Sequence, residues 1–570
     1  MRPPVYLRPP PKWEEHEKPA LPGSPSMPYH PPMVRLCYGL VALLVGLTGG
    51  LGNALFTANL PTIQGQMGLT SAEAAWLTGG YVMFSMTANL LVYKFRQQYG
   101  MRLFTEIGLG AYALLTLLHL VLGSYESLVL LRAASGFAAA ACTTLGTLYM
   151  LQSLPRKHAL KMLVVGVSLS QVATPLAWII SPSLLLHADW HNLYWFEAGL
   201  ALLSFAAVVS LKLPPGVFIK SFEKLDFLTF LLIVPGMGLL TAVLVQGNIR
   251  WWTDTPWLAW MLIGAIALLS AAFYIEHHRP NPLLHTRWFT QSATIRFVIG
   301  ALILRFLTTE QSYGVINLMR TLGMSTEQMQ PLFVVILLGT LVGMLGSAMT
   351  FGLQKMGQQI LVSIVLFALA TLLDVHHTSL DRPMDFALSQ FLMAVGAGVF
   401  MGPLMLLGIV QGLKNGQHFM ITSIVTISVT QTLGALLGST ALNFYQIHRE
   451  HVYSADITAQ VQASNPIVAQ RLQLQAQALA PAITDPTERT TQATAQLAAA
   501  ARREAHVRAY NDVFALTATV AVLYLLWALA QAGAARRAAA QLKAKAGVSA
   551  AAAGTNGQPT ASAPPASAKA

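Results

Sequence analysis

The stretch LVLLRAASGFAAAACTTLGTLYM, Leu128 to Met150, decides how this chain is read. A helix needs about 20 apolar residues to cross the hydrocarbon layer of a bilayer, and this run supplies them with one charge inside, Arg132. On insertion scales such a charge costs roughly 2.5–3.5 kcal/mol at mid-membrane, and it tends to face a bundle interior with a partner. The helical stripe Arg132, Gly136, Ala139, Thr143 and Thr147 is small and polar, a pattern that lets helices approach closely. Arg132 is therefore expected to point inward. The competing reading is that it snorkels to the headgroups.

The rest of the chain has the same character. Of 570 residues, 54% are hydrophobic and 10% charged, with mean hydropathy +0.54. Soluble domains carry about 25% charged residues, so the expected class is an all-α polytopic membrane protein. The net charge of +12 does not point to nucleic acid, because no basic cluster is interleaved with aromatics. The histidines show no metal-ligand spacing. No nucleophile–base pattern stands out. No enzyme, metal or cofactor is expected.

Apolar runs fall at about 34–58, 72–93, 103–123, 127–151, 159–186, 193–213, 226–246, 255–276, 293–318, 328–353, 358–375, 385–412, 418–446 and 509–532. That predicts fourteen transmembrane helices arranged 6 + 2 + 6. With a cytoplasmic N-terminus the inner loops hold Lys94, Arg96, Arg102, Arg156, Lys157 and Lys161 and most later basics, while the short outer loops hold Arg250, Arg320 and Arg382. This asymmetry is the positive-inside rule, and it puts both termini in the cytoplasm. Residues 1–33 and 533–570 read as disordered tails. Residues 34–213 form a first six-helix bundle, 214–291 an extra helix pair with linkers, and 292–532 a second bundle. Within the second, about 447–508 is Ala/Gln-rich with good helix propensity and reads as an outer helical hairpin. Short basic loops after the second and tenth runs repeat weakly, as in repeat-built transporters.

Several motifs then resemble one group, the fourteen-span drug–proton antiporters of the major facilitator superfamily, EmrB type. Span 2 has Trp76 and Tyr81 in the group's Trp-x-x-x-x-Tyr pattern, span 4 has Arg132 ahead of Ser135-Gly136, and AYNDVF at 509–514 matches the entry to the last span. The resemblance implies a major facilitator fold, proton-coupled multidrug efflux, an inner-membrane location, and a periplasmic membrane-fusion adaptor leading to an outer-membrane channel. It also implies that Arg132 serves proton relay. The chain departs from the group in span 1, where Gly52 stands in place of an acid, at Gln97 and Gln98 after span 2, and around Pro175 in span 5.

Without the span 1 acid, Arg132 needs another counter-charge. The acids expected inside are Glu106, Glu197 and Glu310. Glu310 is the preferred candidate, at a depth like that of Arg132 on the polar stripe Glu310, Tyr313, Asn317. Arg305 lies about 140° round the helix from it. Glu197 is expected at the bundle's periphery in an interfacial role. The proton and charge pathway is thus assigned to Arg132, Glu310 and Arg305. Asn53, Asn59, Trp76, Tyr81, Gln171, Trp178, Tyr313, Asn317 and Gln431 are substrate-cavity candidates, and Gly136 and Pro175 conformational ones. The expected partners are a small-molecule substrate, protons, the lipid bilayer and the adaptor, with no nucleic acid. The alternatives are an exporter of an endogenous metabolite, an uncoupled facilitator, or a membrane scaffold that transports nothing.

Overall fold

The computed structural model describes residues 6–9, 13–14, 17–19, 24–185, 189–416, 419–462 and 464–555. Its first half holds helices α1 Pro32–Ala58, α2 Leu60–Met67, α3 Ser71–Tyr99, α4 Met101–Val121, α5 Tyr125–Gln152, α6 Ala159–Ser168, α7 Ser170–Leu184 and α8 His191–Ser210. Two helices follow, α9 Lys224–Arg250 and α10 Pro256–His278. The second half holds α11 Ser292–Leu307, a π-helical turn Glu310–Val315, α12 Ile316–Thr321, α13 Thr326–Thr350, α14 Met356–Leu373 and α15 Ala387–Lys414. It ends with α16 Phe419–Gln460, α17 Pro466–Ala478 and α18 Pro486–Thr555.

Local chemistry starts these helices. Thr70 and Glu73 form a reciprocal capping box at α3, and Ser325 and Gln328 do the same at α13; each satisfies amides that a helix leaves unpaired. Ser124 caps α5 through its hydroxyl. Thirteen helices among the described residues are long and apolar enough to cross a membrane. The expected count of fourteen is not reached on that measure. The run left out is α3, whose 29 residues are long enough but are diluted by Trp76, Thr78, Tyr81, Ser85, Thr87 and Asn89. Of these, Tyr81, Ser85 and Asn89 line the cavity described below.

In the unit Met1–Ala521, α1 packs on α5, α7 and α8, and α3 packs on α5; in the second half α13 packs on α15, α15 on α14, and α11 on α16. The halves meet along α13 with α6 and α7, α15 with α6, and α3 with α16. The extra pair lies alongside, α9 on α3 and α10 on α9. Its exposed Phe227, Leu231, Trp260, Ile266 and Tyr274 make the apolar outer surface that lipid requires. The described part of the unit Val522–Ala570 is helical through Thr555, with Tyr524 stacked on Trp527 at 5.6 Å.

Four expectations need correction. The N-terminal segment expected to be disordered docks in part: the Leu7 amide donates to the Phe218 carbonyl at 3.1 Å, Arg8 lies over the Phe218 ring, and Ser26 and Met27 are buried. Proline-rich chain has little backbone entropy to lose on such docking. Residues 533–555 are helical rather than disordered, as alanine-rich sequence allows; 556–570 lie outside the described residues. Spans 13 and 14 do not stop at 446 and start at 509; α16 continues to Gln460 and α18 begins at Pro486. Lys94 and Arg96 belong to the last turns of α3, buried, and not to a loop.

Candidate functional site

Arg132 points into the first half. It is 1% exposed and donates from Nη2 to Asn53 Oδ1 on α1 at 2.7 Å. Its guanidinium lies over the Phe56 ring at 4.1 Å and the Tyr81 ring at 4.7 Å, two cation–π contacts strengthened by the absence of water. The helix carrying it crosses α3 closely: a Cβ on Gly136 would fall 2.2 Å from the Tyr81 carbonyl oxygen. Gly136 therefore sets how near Arg132 comes to Tyr81.

Glu310 does not supply the hydrogen bond or ring contacts that hold Arg132. It begins the π-helical turn in the other half, fully buried, bonded to the Thr517 hydroxyl of α18 and beside Asp374 at the end of α14. The extra residue of a π turn shifts the helical register, so the even stripe expected through Tyr313 and Asn317 is interrupted. Asp374 accepts from Gln390 at 2.8 Å and faces His377 Nε2 at 3.5 Å, and His377 Nδ1 meets Asp381 at 2.6 Å nearer the surface. Burial works against a charge on His377, but the bonds to Asp374 and Asp381 outweigh it and hold its pKa above the ordinary 6.5. Arg305 turns away, donating to the Gln431 carbonyl and the Thr308 hydroxyl, each at 3.2 Å. Glu197, expected at the periphery, is only 5% exposed and accepts from the Tyr112 hydroxyl at 2.7 Å.

Between the halves lies a cavity of about 400 Å³. Met401, Met405, Met420 and Ile409 give it an apolar wall, and Ser85, Asn89, Thr143, Thr147 and Thr432 a polar one. Of the expected cavity residues it contains Tyr81 and Gln431. Neither amide atom of the buried Gln431 side chain has a hydrogen-bond partner. Asn89 bridges the halves, donating to Ser428 at 2.8 Å. Arg96, with no partner at its Nε, is the only charged residue among the described lining.

The other expected residues do structural work or line no part of that cavity. Asn59 ties α1 to α7 through Ser181 at 2.7 Å. Tyr313 donates to Asn443 at 2.6 Å. Trp76, Gln171 and Asn317 are half-buried outside the cavity, and Pro175 is buried inside α7. Trp178 closes the halves together where α1 ends. Its ring stacks on Phe333 at 4.5 Å, Arg320 lies over it and donates to the Ala58 carbonyl at 3.0 Å, and Gln330 donates to the Ile179 carbonyl at 2.6 Å.

At the opposite end a buried ion network joins α3 to the extra pair. Asp226 accepts from Lys94 at 2.6 Å and Arg279 at 2.7 Å; Arg279 also binds Glu276 and Glu223, each at 2.9 Å. The Arg279 bond holds the Glu223 carboxyl below its ordinary range. Sequence reading placed Lys94 in an inner loop and Asp226 at the start of a later span. The pairing of Lys94 with Asp226, 132 positions apart, has no local signature.

Two helical halves around a central cavity, flanked by an extra pair and faced with apolar side chains, define a multi-span membrane transporter. The sequence profile of the Major Facilitator Superfamily matches residues 42–439, and the chain belongs to that family. It is similar to the multidrug export protein EmrB of Haemophilus influenzae, 21% identical over 436 residues, which cover 73% of this chain and 81% of that protein. Among solved structures, one of proton-dependent oligopeptide transporters aligns with TM-score 0.51 and 12% identity, covering 88% of this chain and 99% of that one. The human organic anion transporter MFSD10 aligns with TM-score 0.50 and 14% identity, covering 86% and 100%. These likenesses extend to the fold.

Proposed function

We propose that this chain exports amphipathic small molecules, uncharged or anionic, across a bacterial inner membrane in exchange for protons. The observation that carries the reading is the composition of the cavity: a methionine-rich wall, hydroxyl and amide groups opposite it, and Arg96 as the one charge in its described lining. Apolar pockets with a few placed polar groups suit amphipathic ligands. Methionine adapts to varied shapes. A cavity without a carboxylate offers a desolvated cation no partner, whereas Arg96 offers one to an anion. Similarity to a protein named for multidrug export supports the direction of transport.

Alternating access follows from rocking the two halves about the cavity, with the Trp178–Phe333 stack as the closure at the outer end. Glu310 is the proton carrier in this reading, buried and reached from the surface by way of Asp374 and His377. The arms formed by α16, α17 and α18 stand on the periplasmic side and dock an adaptor that leads to an outer-membrane channel. Gly52 favours a second reading, an uncoupled facilitator or a dedicated exporter of a cellular metabolite, because it leaves α1 without an acid.

The test is export from proteoliposomes under an imposed pH gradient. Glu310→Gln, fixed in the neutral form, is expected to abolish gradient-driven export while ligand binding stays. Unchanged gradient-driven export by that variant removes Glu310 from the mechanism, and a wild type indifferent to the gradient removes proton coupling.

A further inference from the structure

A Cβ built on Gly52 of α1 would lie 2.2 Å from Glu197 Oε1, 2.7 Å from its carboxyl carbon and 2.3 Å from the Tyr112 hydroxyl. A side chain at position 52 would have to displace the Glu197 carboxyl and the Tyr112 hydroxyl, which together fill that space. The Glu197 carboxyl is buried, accepts from Tyr112, and lies within electrostatic reach of Arg132. Arg132 is held from the same turn of α1, through Asn53, and its Nε has no partner. A buried guanidinium whose partners are all neutral, the Asn53 amide oxygen, the Tyr194 hydroxyl and two ring faces, is under-compensated.

We infer that Glu197 is a proton-binding residue of this transporter and the counter-charge of Arg132, delivered from α8 into the place that a side chain at position 52 would occupy. As carboxylate it offsets the Arg132 charge. Taking a proton from water on one side forms its O–H bond and leaves Arg132 uncompensated; releasing the proton on the other side restores the pair. No other bond changes. This extends the proton-driven reading, on which its transport consequence rests, by adding a second carboxyl in the half that does not hold Glu310.

The groups around Glu197 suit that role. Tyr112 comes from α4, Tyr194 from α8 itself, Tyr81 from α3, and Arg132 and Cys142 from α5. His119 of α4 stacks on Tyr194 at 4.4 Å. The ionisable residues of α1, Arg35, Cys37 and Tyr38, lie near its start, far from Gly52, and α7 has none. Arg132 is thus the cation that acts on Glu197, and the phenols modulate its hydrogen bonding.

The experiment uses the full chain in lipid. The infrared difference spectrum between acid and alkaline buffer is expected to contain a protonated-carboxyl C=O band that vanishes in Glu197→Gln and shifts in frequency in Tyr112→Phe. This readout needs no transport, so it decides Glu197 even where the wild type proves indifferent to a pH gradient. Where the wild type is gradient-driven, Glu197→Ala is expected to lose export on the order of tenfold or more. A spectrum in which Glu197→Gln matches the wild type overturns the proposal. So does a Glu197→Ala variant that exports normally under the gradient.

Discussion

Arg132 Nη2 and Asn53 Oδ1 lie 2.7 Å apart, joining α5 to α1 inside the first helical half. The contact orients a guanidinium whose faces meet Phe56 and Tyr81. Asn53→Ala removes that acceptor from a buried cation, a loss of about 1.5–3 kcal/mol. The unfolding free energy in detergent is expected to fall by that amount. Because the two residues share one interaction, Asn53→Ala and Arg132→Leu should not add: the double variant is expected to be more stable than the sum of the single effects. Strict additivity would mean that the contact contributes nothing.

Asp226 gives a second, larger prediction. It is fully buried and takes both Lys94 and Arg279. Asp226→Asn leaves Lys94 without a charged partner, while Arg279 keeps Glu276 and Glu223, and breaking a buried pair by removing one partner costs about 3–5 kcal/mol. The variant is expected to unfold at lower temperature. Adding Lys94→Met removes one stranded charge and should recover part of the loss. No recovery would place the cost in the α9 capping box that Asp226 shares with Glu223, not in the ion network.

The loop at Asp374–Asp381 predicts a pH dependence of stability. The folded-state pKa of His377 is raised by Asp374 and Asp381, so its contribution is complete below the ordinary 6.5 and fades as pH rises through the higher folded value. Burial works against the Asp381 charge, but Thr378 and His377 outweigh it and hold its pKa down. Its contribution is complete above the ordinary 3.8 and fades as pH falls through the lower folded value. The two together stabilise the loop best in mildly acidic buffer. Melting temperatures of the wild type are expected to decline above neutrality, and His377→Gln to flatten that decline. Equal slopes for both would exclude His377 as the source.

The class of fold is legible in the sequence because each span must carry its own apolar run. Glu197 was misplaced for the opposite reason. Whether an acid near a helix end is interfacial or buried depends on what stands opposite, and here that is an empty side-chain position on α1. Asp374, beside Glu310, was hidden in what reads as the end of a span. The inward direction of Arg132 was legible, since the small residues along its stripe set the approach of α5 to α3. Its partner was not: Asn53 and Arg132 are 79 positions apart, and spacing along one helix carries no information about a neighbouring helix.

The helical arms that join α16 to α18 give the last prediction. The helix α16 runs unbroken to Gln460, and α18 starts at Pro486. The two are clamped where they leave the bundle: Arg449 binds Asp512, Tyr453 donates to Asp512 at 2.9 Å, and Gln446 meets His506 at 3.1 Å. The clamp lies on the bundle side of α17, so the tip can be removed without touching it. No residue of α17 is buried, and Ile467 and Leu474 are exposed on it. A tip that only covered the bundle would bury its apolar side chains against it. Replacing Ser464–Thr494 with a short Gly/Ser bridge is expected to leave export in proteoliposomes intact, since the clamp and the cavity remain. The same deletion is expected to abolish co-purification with a periplasmic adaptor and the cellular export that depends on it. Adaptor retained at wild-type levels would put the docking face elsewhere. Loss of export in proteoliposomes would make the arms part of the transporter's own closure.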